Sequence, residues 1–75
     1  MILSKADCGR YLLDEIFLPE DKKEELKKIG LTINNELNIL GHIGRESDTI
    51  ISSKAGTFII TSPACHSISV RKCEE

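Results

Sequence analysis

Residues 22–40, KKEELKKIGLTINNELNIL, constrain this chain more than any other stretch, because they specify a helix stop and the strand that follows it. Leu26 and Ile29 lie three apart and share one helix face. Glu24 stands four residues before Lys28, the favourable order for an i,i+4 ion pair. Gly30 supplies the left-handed residue that ends helices, which puts Leu31 at C″, over Leu26 at C3. Asn34 and Asn35 turn the chain before Leu37 and Ile39 alternate into a strand. Upstream, Pro19 fits the first helical position. Glu20 and Asp21 lie at the positive end of the helix dipole, and Lys27 and Lys28 at the negative end. The spacing predicts a helix over 19–29 whose thin apolar stripe flanks the fold and does not form its centre. A helix end specified this closely is structural, not a catalytic loop.

The rest of the chain reads as strand. Ser4-Lys-Ala-Asp7 has the S-x-x-D form of a capping box and predicts a single helical turn, closed by Gly9, that plugs one end of the fold. Residues 10–17 favour a strand with Tyr11 and Leu13 on one face and Leu12 and Ile16 on the other. Further on, Leu37, Ile39, Gly41 and Ile43 alternate with Asn38, Leu40 and His42, and 44–48 form a polar hairpin tip. Ile50 and Ile51 follow, a short turn over 54–57 leads into a strand over 58–61, and Ser62-Pro63 ends it. Residues 67–71 alternate most cleanly, with Ile68 and Val70 inward and the serines and Arg71 outward. Five short strands, with one short helix between the first two, predict a mainly β fold: a small closed or half-closed barrel.

With 75 residues the chain is read as one domain, 1–75. A chain of this size buries only about 60% of its unfolded surface. Apolar residues are 40% and aromatics 4%, so the core is aliphatic and rings are too few for a base-stacking platform. A formal net charge of −2 opposes general nucleic-acid binding, which needs a cationic surface to displace counterions. No apolar run approaches the roughly 20 residues of a membrane helix, and residues 1–8 lack the apolar stretch of a signal segment. A cytoplasmic protein without direct membrane insertion is expected. Three cysteines cannot all pair, and reduced thiols are expected.

Read in order, several of these pieces resemble the ferrous iron transport protein A (FeoA) family. Leu3-Ser4 followed by Gly9 is similar to the family's opening turn. Leu26-Lys-Lys-Ile-Gly30-Leu31-Thr32 is similar to its helix-to-strand signature, and residues 36–40 to the strand after it. Ile50-Ile51, the strand 56–60, Cys65 in the place of a usual alanine, and Ile68-Ser69-Val70 complete the series. The departure is Ile33-Asn34-Asn35 where the family has Pro-Gly, although asparagine tolerates the left-handed region. The resemblance implies an SH3-like β-barrel. It also implies an accessory role in bacterial Fe(II) uptake through contact with the cytoplasmic GTPase region of the FeoB transporter. The alternatives are a transition-metal-binding sensor or carrier, and a detached regulatory module of an iron-dependent repressor, where the same domain occurs.

An iron-linked resemblance directs attention first to metal ligands: Cys8, His42, Cys65, His66 and Cys73. No C-x-x-C or H-x-x-x-H pair is present. Cys65 and His66 are adjacent and Cys73 lies one strand later, so these three are the set that could converge on Fe(II) or another transition metal. Against that, Cys65 reads as a small buried hydrophobe and His42 as a surface residue. No cofactor is required. Neither G-x-S-x-G nor G-x-x-x-x-G-K-[ST] occurs, so the chain is not expected to be an enzyme, and nucleotide hydrolysis belongs to a partner. Arg45, on the hairpin tip, is the residue that could reach a GTPase in trans. Lys27 and Lys28, with Leu31 adding apolar contact, form the candidate docking surface for an acidic partner. With Tyr11, Phe17 and Phe58 as its only aromatics, the chain does not fit proline-rich ligands. Unpaired barrel edges offer a route to a homodimer, against which Asp48 and Lys54 work.

Overall fold

The computed structural model describes residues 1–73. Five strands form one antiparallel sheet: β1 (Gly9–Ile16), β2 (Glu36–Ile43), β3 (Asp48–Ser53), β4 (Gly56–Ile60) and β5 (Ile68–Lys72). Helix α1 (Glu20–Lys28) joins β1 to β2, and 3-10 turns at Leu3–Lys5 and Ala64–His66 precede β1 and β5. The expected class, mainly β with one helix between the first two strands, is the observed one. The sheet order β4-β3-β2-β1-β5 leaves it open, with β4 and β5 as edges. The N-terminus covers part of the β5 edge: Ile2 bridges Ser69, and the Val70 N–H donates to Met1 O at 2.7 Å.

The inner face of the sheet collects Tyr11, Leu13, Leu37, Ile39, Ile51 and Val70, all buried, which makes the core almost wholly aliphatic. Leu3 of the first 3-10 turn and Ala6 just after it join this core, as a plug should. The capping box does not form. Ile2, not Ser4, precedes the turn, and no side chain caps it.

Two bulges alter the alternation read from the sequence. In β1, Leu13 pairs with Val70 and Glu15 with Ser69, so Asp14 is the extra residue. One inserted residue flips everything beyond it to the other face. Ile16 therefore points inward with Tyr11 and Leu13 and is 7% exposed, not on the face of Leu12 as strict alternation would have it. Arg71 holds the bulge from β5: its Nη1 lies 3.6 Å from Asp14 Oδ1, while its Nη2 donates to Asn34 Oδ1 at 2.8 Å. In β2, Ile39 pairs with Ile51 and Gly41 with Ile50, so Leu40 is the extra residue. Beyond it His42 pairs with Thr49, which is fully buried.

The helix end forms as its residues dictate. Leu31 N–H donates to Leu26 O at 2.9 Å and Gly30 N–H to Lys27 O at 3.0 Å, the 6→1 and 5→2 bonds of a Schellman cap, with Gly30 at φ +85°. Pro19 is the N-cap and not the first helical residue; its carbonyl accepts from Lys22 and Lys23, both at 3.0 Å. The helical ion pairs are i,i+3, Lys22 to Glu25 at 3.8 Å and Lys23 to Glu20 at 3.7 Å, in place of the Glu24–Lys28 pair the spacing suggested. After the cap, Asn35 N–H donates to Thr32 O at 3.0 Å and Asn34 sits at φ +68°. Asparagine thus supplies the left-handed third residue of a four-residue turn that Pro-Gly would also build. That turn is fastened to β1: Asn34 N–H reaches Leu13 O at 2.7 Å, and Leu13 N–H reaches Asn35 O at 2.9 Å.

Candidate functional site

The cysteine and histidine candidates lie at places set by these bulges and turns. Cys65 sits in the second 3-10 turn, fully buried, with its Sγ 3.9 Å from Glu46 O. Burial pushes its thiol pKa up, and the carboxylates of Asp48 and Glu46 push in the same direction, which disfavours the thiolate a metal would need. His66 is exposed, and its Nδ1 is 2.7 Å from Ser4 Oγ. Cys73 follows β5, its N–H bonded to Arg10 O at 3.2 Å. Cys8 is exposed, with Sγ 3.3 Å from Leu40 O. Among the described residues no three His, Cys, Asp or Glu side chains are grouped as a metal would require.

His42 is exposed, as expected of a surface residue, and its ring is also bonded at both nitrogens. The bulge at Leu40 turns its ring toward Thr49, with Nδ1 3.0 Å from Thr49 Oγ1, and its Nε2 lies 2.7 Å from Ala6 O. A carbonyl only accepts, so Nε2 carries a proton and donates to it. The ring thereby ties the N-terminal plug to the β2–β3 hairpin. On the other side of the plug, Ser4 Oγ is buried, and the imidazole of His66 is its partner. Replacing His66 with leucine removes that partner from the Ser4 hydroxyl, at a cost of up to about 1–3 kcal/mol. Adding Ser4→Ala to His66→Leu should recover most of the loss, which a double-mutant cycle by urea denaturation measures. Strict additivity would mean the bond carries no weight. The sequence signalled neither staple, because Ser4 and His66 are 62 residues apart.

The hairpin tip is fastened as well. Ser62 N–H donates to Asp48 Oδ1 at 2.9 Å and Ser62 Oγ to Glu46 Oε2 at 3.4 Å, so the acidic residues of the tip hold the segment leading into Cys65. Arg45 is exposed on this tip.

The docking candidates separate into surface and core. Lys27 and Lys28 are exposed on α1, but Leu31 is 1% exposed and spent on the core. The apolar contact expected of Leu31 is offered instead by Ile33, half exposed in the following turn. Ile16, Leu31, Thr32 and Ile33 line a small cavity of about 90 Å3 beneath α1, whose rim carries Lys23 and Lys27. The sequence pointed to Lys27 but not to Lys23 or Ile16. Ile16 reaches this place only through the bulge at Asp14.

One surface pair makes stability depend on pH. Arg10 Nε hydrogen-bonds Glu36 Oε1 across β1 and β2, and this bond holds the Glu36 carboxyl below its ordinary 4.5. The charges of Arg10 and Lys54 assist, and partial desolvation opposes. A depressed carboxylate gives stability that is complete above 4.5 and is lost as pH falls through the folded value. Glu36→Gln should flatten this part of the acid limb and change little near neutrality, as the pair is exposed. An acid titration followed by circular dichroism checks it; an unchanged limb would mean the pair is not populated.

The class these features define is a small, open SH3-like half-barrel with a capped helix between its first two strands. Solved structures of the same fold include two FeoA proteins. An iron uptake regulatory protein (FeoA) matches with a TM-score of 0.81 over 97% of this chain and 96% of its own, at 24% identity. FeoA from Chlorobium tepidum matches with a TM-score of 0.84 over 99% of this chain and 71% of its own, at 16% identity. The repressor ScaR with bound Zn2+ contains the fold too, with a TM-score of 0.85 over 97% of this chain and 20% identity. This chain spans 37% of the repressor's length. No protein-family profile matches the chain, and no curated protein matches it in sequence. At these identities the likeness establishes the fold.

Proposed function

We propose that this protein is a non-enzymatic adaptor of ferrous iron transport, acting in the cytoplasm by binding the GTPase region of a FeoB-type transporter and modulating uptake. The observation that carries the reading is the extent of the FeoA likeness, which takes in nearly all of this chain and nearly all of one FeoA chain. The α1 surface around Lys27 and Lys28 is the docking face, with electrostatic complementarity setting orientation and encounter rate. Arg45 makes a separate contact from the hairpin tip. Titrating the isotope-labelled chain with the soluble GTPase domain should shift amides on α1 and on 44–47. Absence of any contact at high micromolar domain would sink the reading.

No resident ion takes part in this docking. Anaerobic titration of the reduced protein with Fe(II) should leave the amides of Cys65, His66 and Cys73 in place. Saturable shifts there would replace the adaptor with a metal sensor or carrier. A second reading draws on the likeness to ScaR, a manganese-activated repressor: a regulatory module that associates with a metal-dependent repressor. Binding to such a repressor without binding to the GTPase domain would favour it.

A further inference from the structure

We propose that the cavity beneath α1 receives one branched aliphatic side chain from an acidic peptide segment of a partner protein, and that Lys23 and Lys27 bind the carboxylates flanking it. This deepens the adaptor reading, on which it rests for the existence of a protein partner, by naming the chemistry of the segment bound.

The size fixes the anchor. About 90 Å3, open to solvent at its mouth, has room for the branched end of one aliphatic side chain. The floor is apolar, made by Ile16 and Leu31, and the half-exposed Ile33 extends that surface outward.

The charge fixes the rest. Lys23 and Lys27 are four apart, one turn along the same face of α1, and no acidic side chain lines the cavity. Lys27 has no ion pair among the described residues, and Lys23 holds only Glu20, 87% exposed, at 3.7 Å. So loose a surface pair is exchanged for a partner carboxylate with little loss. An extended segment repeats its side-chain face every second residue, about 6.6–7 Å. A Glu-x-Leu-x-Glu pattern therefore presents the anchor and both carboxylates on one side, the carboxylates about 13–14 Å apart, and the two flexible lysine side chains, rooted one turn apart, splay to meet them. A lipid surface fits less well. Membrane-binding patches cluster about four to eight basic residues, whereas α1 carries Glu20, Asp21, Glu24 and Glu25 among its four lysines.

The test is an amide NMR titration of the full chain at low salt with the peptide acetyl-Gly-Glu-Ser-Leu-Ser-Glu-Gly-amide. Saturable shifts centred on Ile16, Lys23, Lys27 and Ile33, with a Kd of about 1 mM or tighter, are expected. Replacing the peptide's leucine with alanine, or its glutamates with glutamines, should weaken binding about tenfold, and added salt should weaken it too. The double variant K23E/K27E should show the same loss. Because the peptide controls use the unaltered chain, the result stands even if that variant folds poorly. Three outcomes overturn the proposal: no saturable shift at several millimolar peptide, equal binding of the neutral peptide, or shifts at these residues with phosphatidylglycerol vesicles but not with peptide. The GTPase domain is absent from this experiment, so its failure and that of the transporter reading are separately visible.

Discussion

Gly30→Val is expected to lower the stability of the domain by about 2–4 kcal/mol. Gly30 holds φ +85°, and a left-handed non-glycine residue costs about 1–3 kcal/mol, more when β-branched. A Cβ there would also lie 3.3 Å from Ser53 Oγ. That hydroxyl is already engaged: it donates to Ile29 O at 2.7 Å and accepts from Ala55 N–H at 3.2 Å. Displacing it frees the helix C-terminus from the β3–β4 hairpin and leaves the Ile29 carbonyl without this donor. A chain of this length has a total stability of roughly 4–11 kcal/mol, so the single change removes a large share. Gly44 provides the control. Its φ is +75°, but nothing lies within 4 Å of a Cβ built there, so Gly44→Ala isolates the backbone penalty. Urea denaturation of Gly30→Ala, Gly30→Val and Gly44→Ala separates the two contributions. Equal losses for the two alanine variants would show that the contact with Ser53 carries nothing.

What the sequence made legible is what is decided over a few residues. The helix stop at Gly30, the clamp of Leu31 on Leu26 and the left-handed Asn34 each follow from residue chemistry within one turn of chain. The alternation in β5 was readable because Ile68 and Val70 face one core throughout and no bulge intervenes. The bulges at Asp14 and Leu40 were not readable, since an extra residue is defined by its partner strand and not by its own neighbours. The errors of facing, at Ile16 in β1 and at the 46%-exposed Ile43 in β2, come from those two residues. The open sheet has a similar origin: strand count and length do not say whether the last strand meets β4 or stops at β1.

The candidate sites divide along the same line. Lys27 and Lys28 were legible as helix-end cations, and their exposure follows from the thin apolar stripe of α1. Leu31 could not serve two purposes. The C″ position that made it recognisable also sends it into the core. Cys65 was legible as a small buried residue, and the raised thiol pKa is the electrostatic expression of the same burial. The Ser4–His66 and His42–Ala6 contacts needed the whole topology, because they join the N-terminal plug to segments distant in the chain.

The second large effect tests the bulge directly. Leu13→Ala should cost about 3–5 kcal/mol, the upper part of the range for a leucine truncated in a packed core. Leu13 is fully buried opposite Val70, itself fully buried, so little can collapse into the space left. Its backbone is fixed as well, by Asn34 and Asn35 on one side and β5 on the other, which limits relaxation further. Leu12, partly exposed on the opposite face, should cost below about 1 kcal/mol when changed to alanine. Ile16 decides the matter. In a regular strand it would share the face of Leu12 and behave like it. With Asp14 as the extra residue it faces inward, 7% exposed, and Ile16→Ala should cost about 2–4 kcal/mol. Chemical denaturation of the three alanine variants, with the urea dependence unchanged, gives the order Leu13, Ile16, Leu12. Matching losses at Leu12 and Ile16 would mean that β1 runs without its bulge. The cavity beneath α1, floored by Ile16, would then not exist in solution.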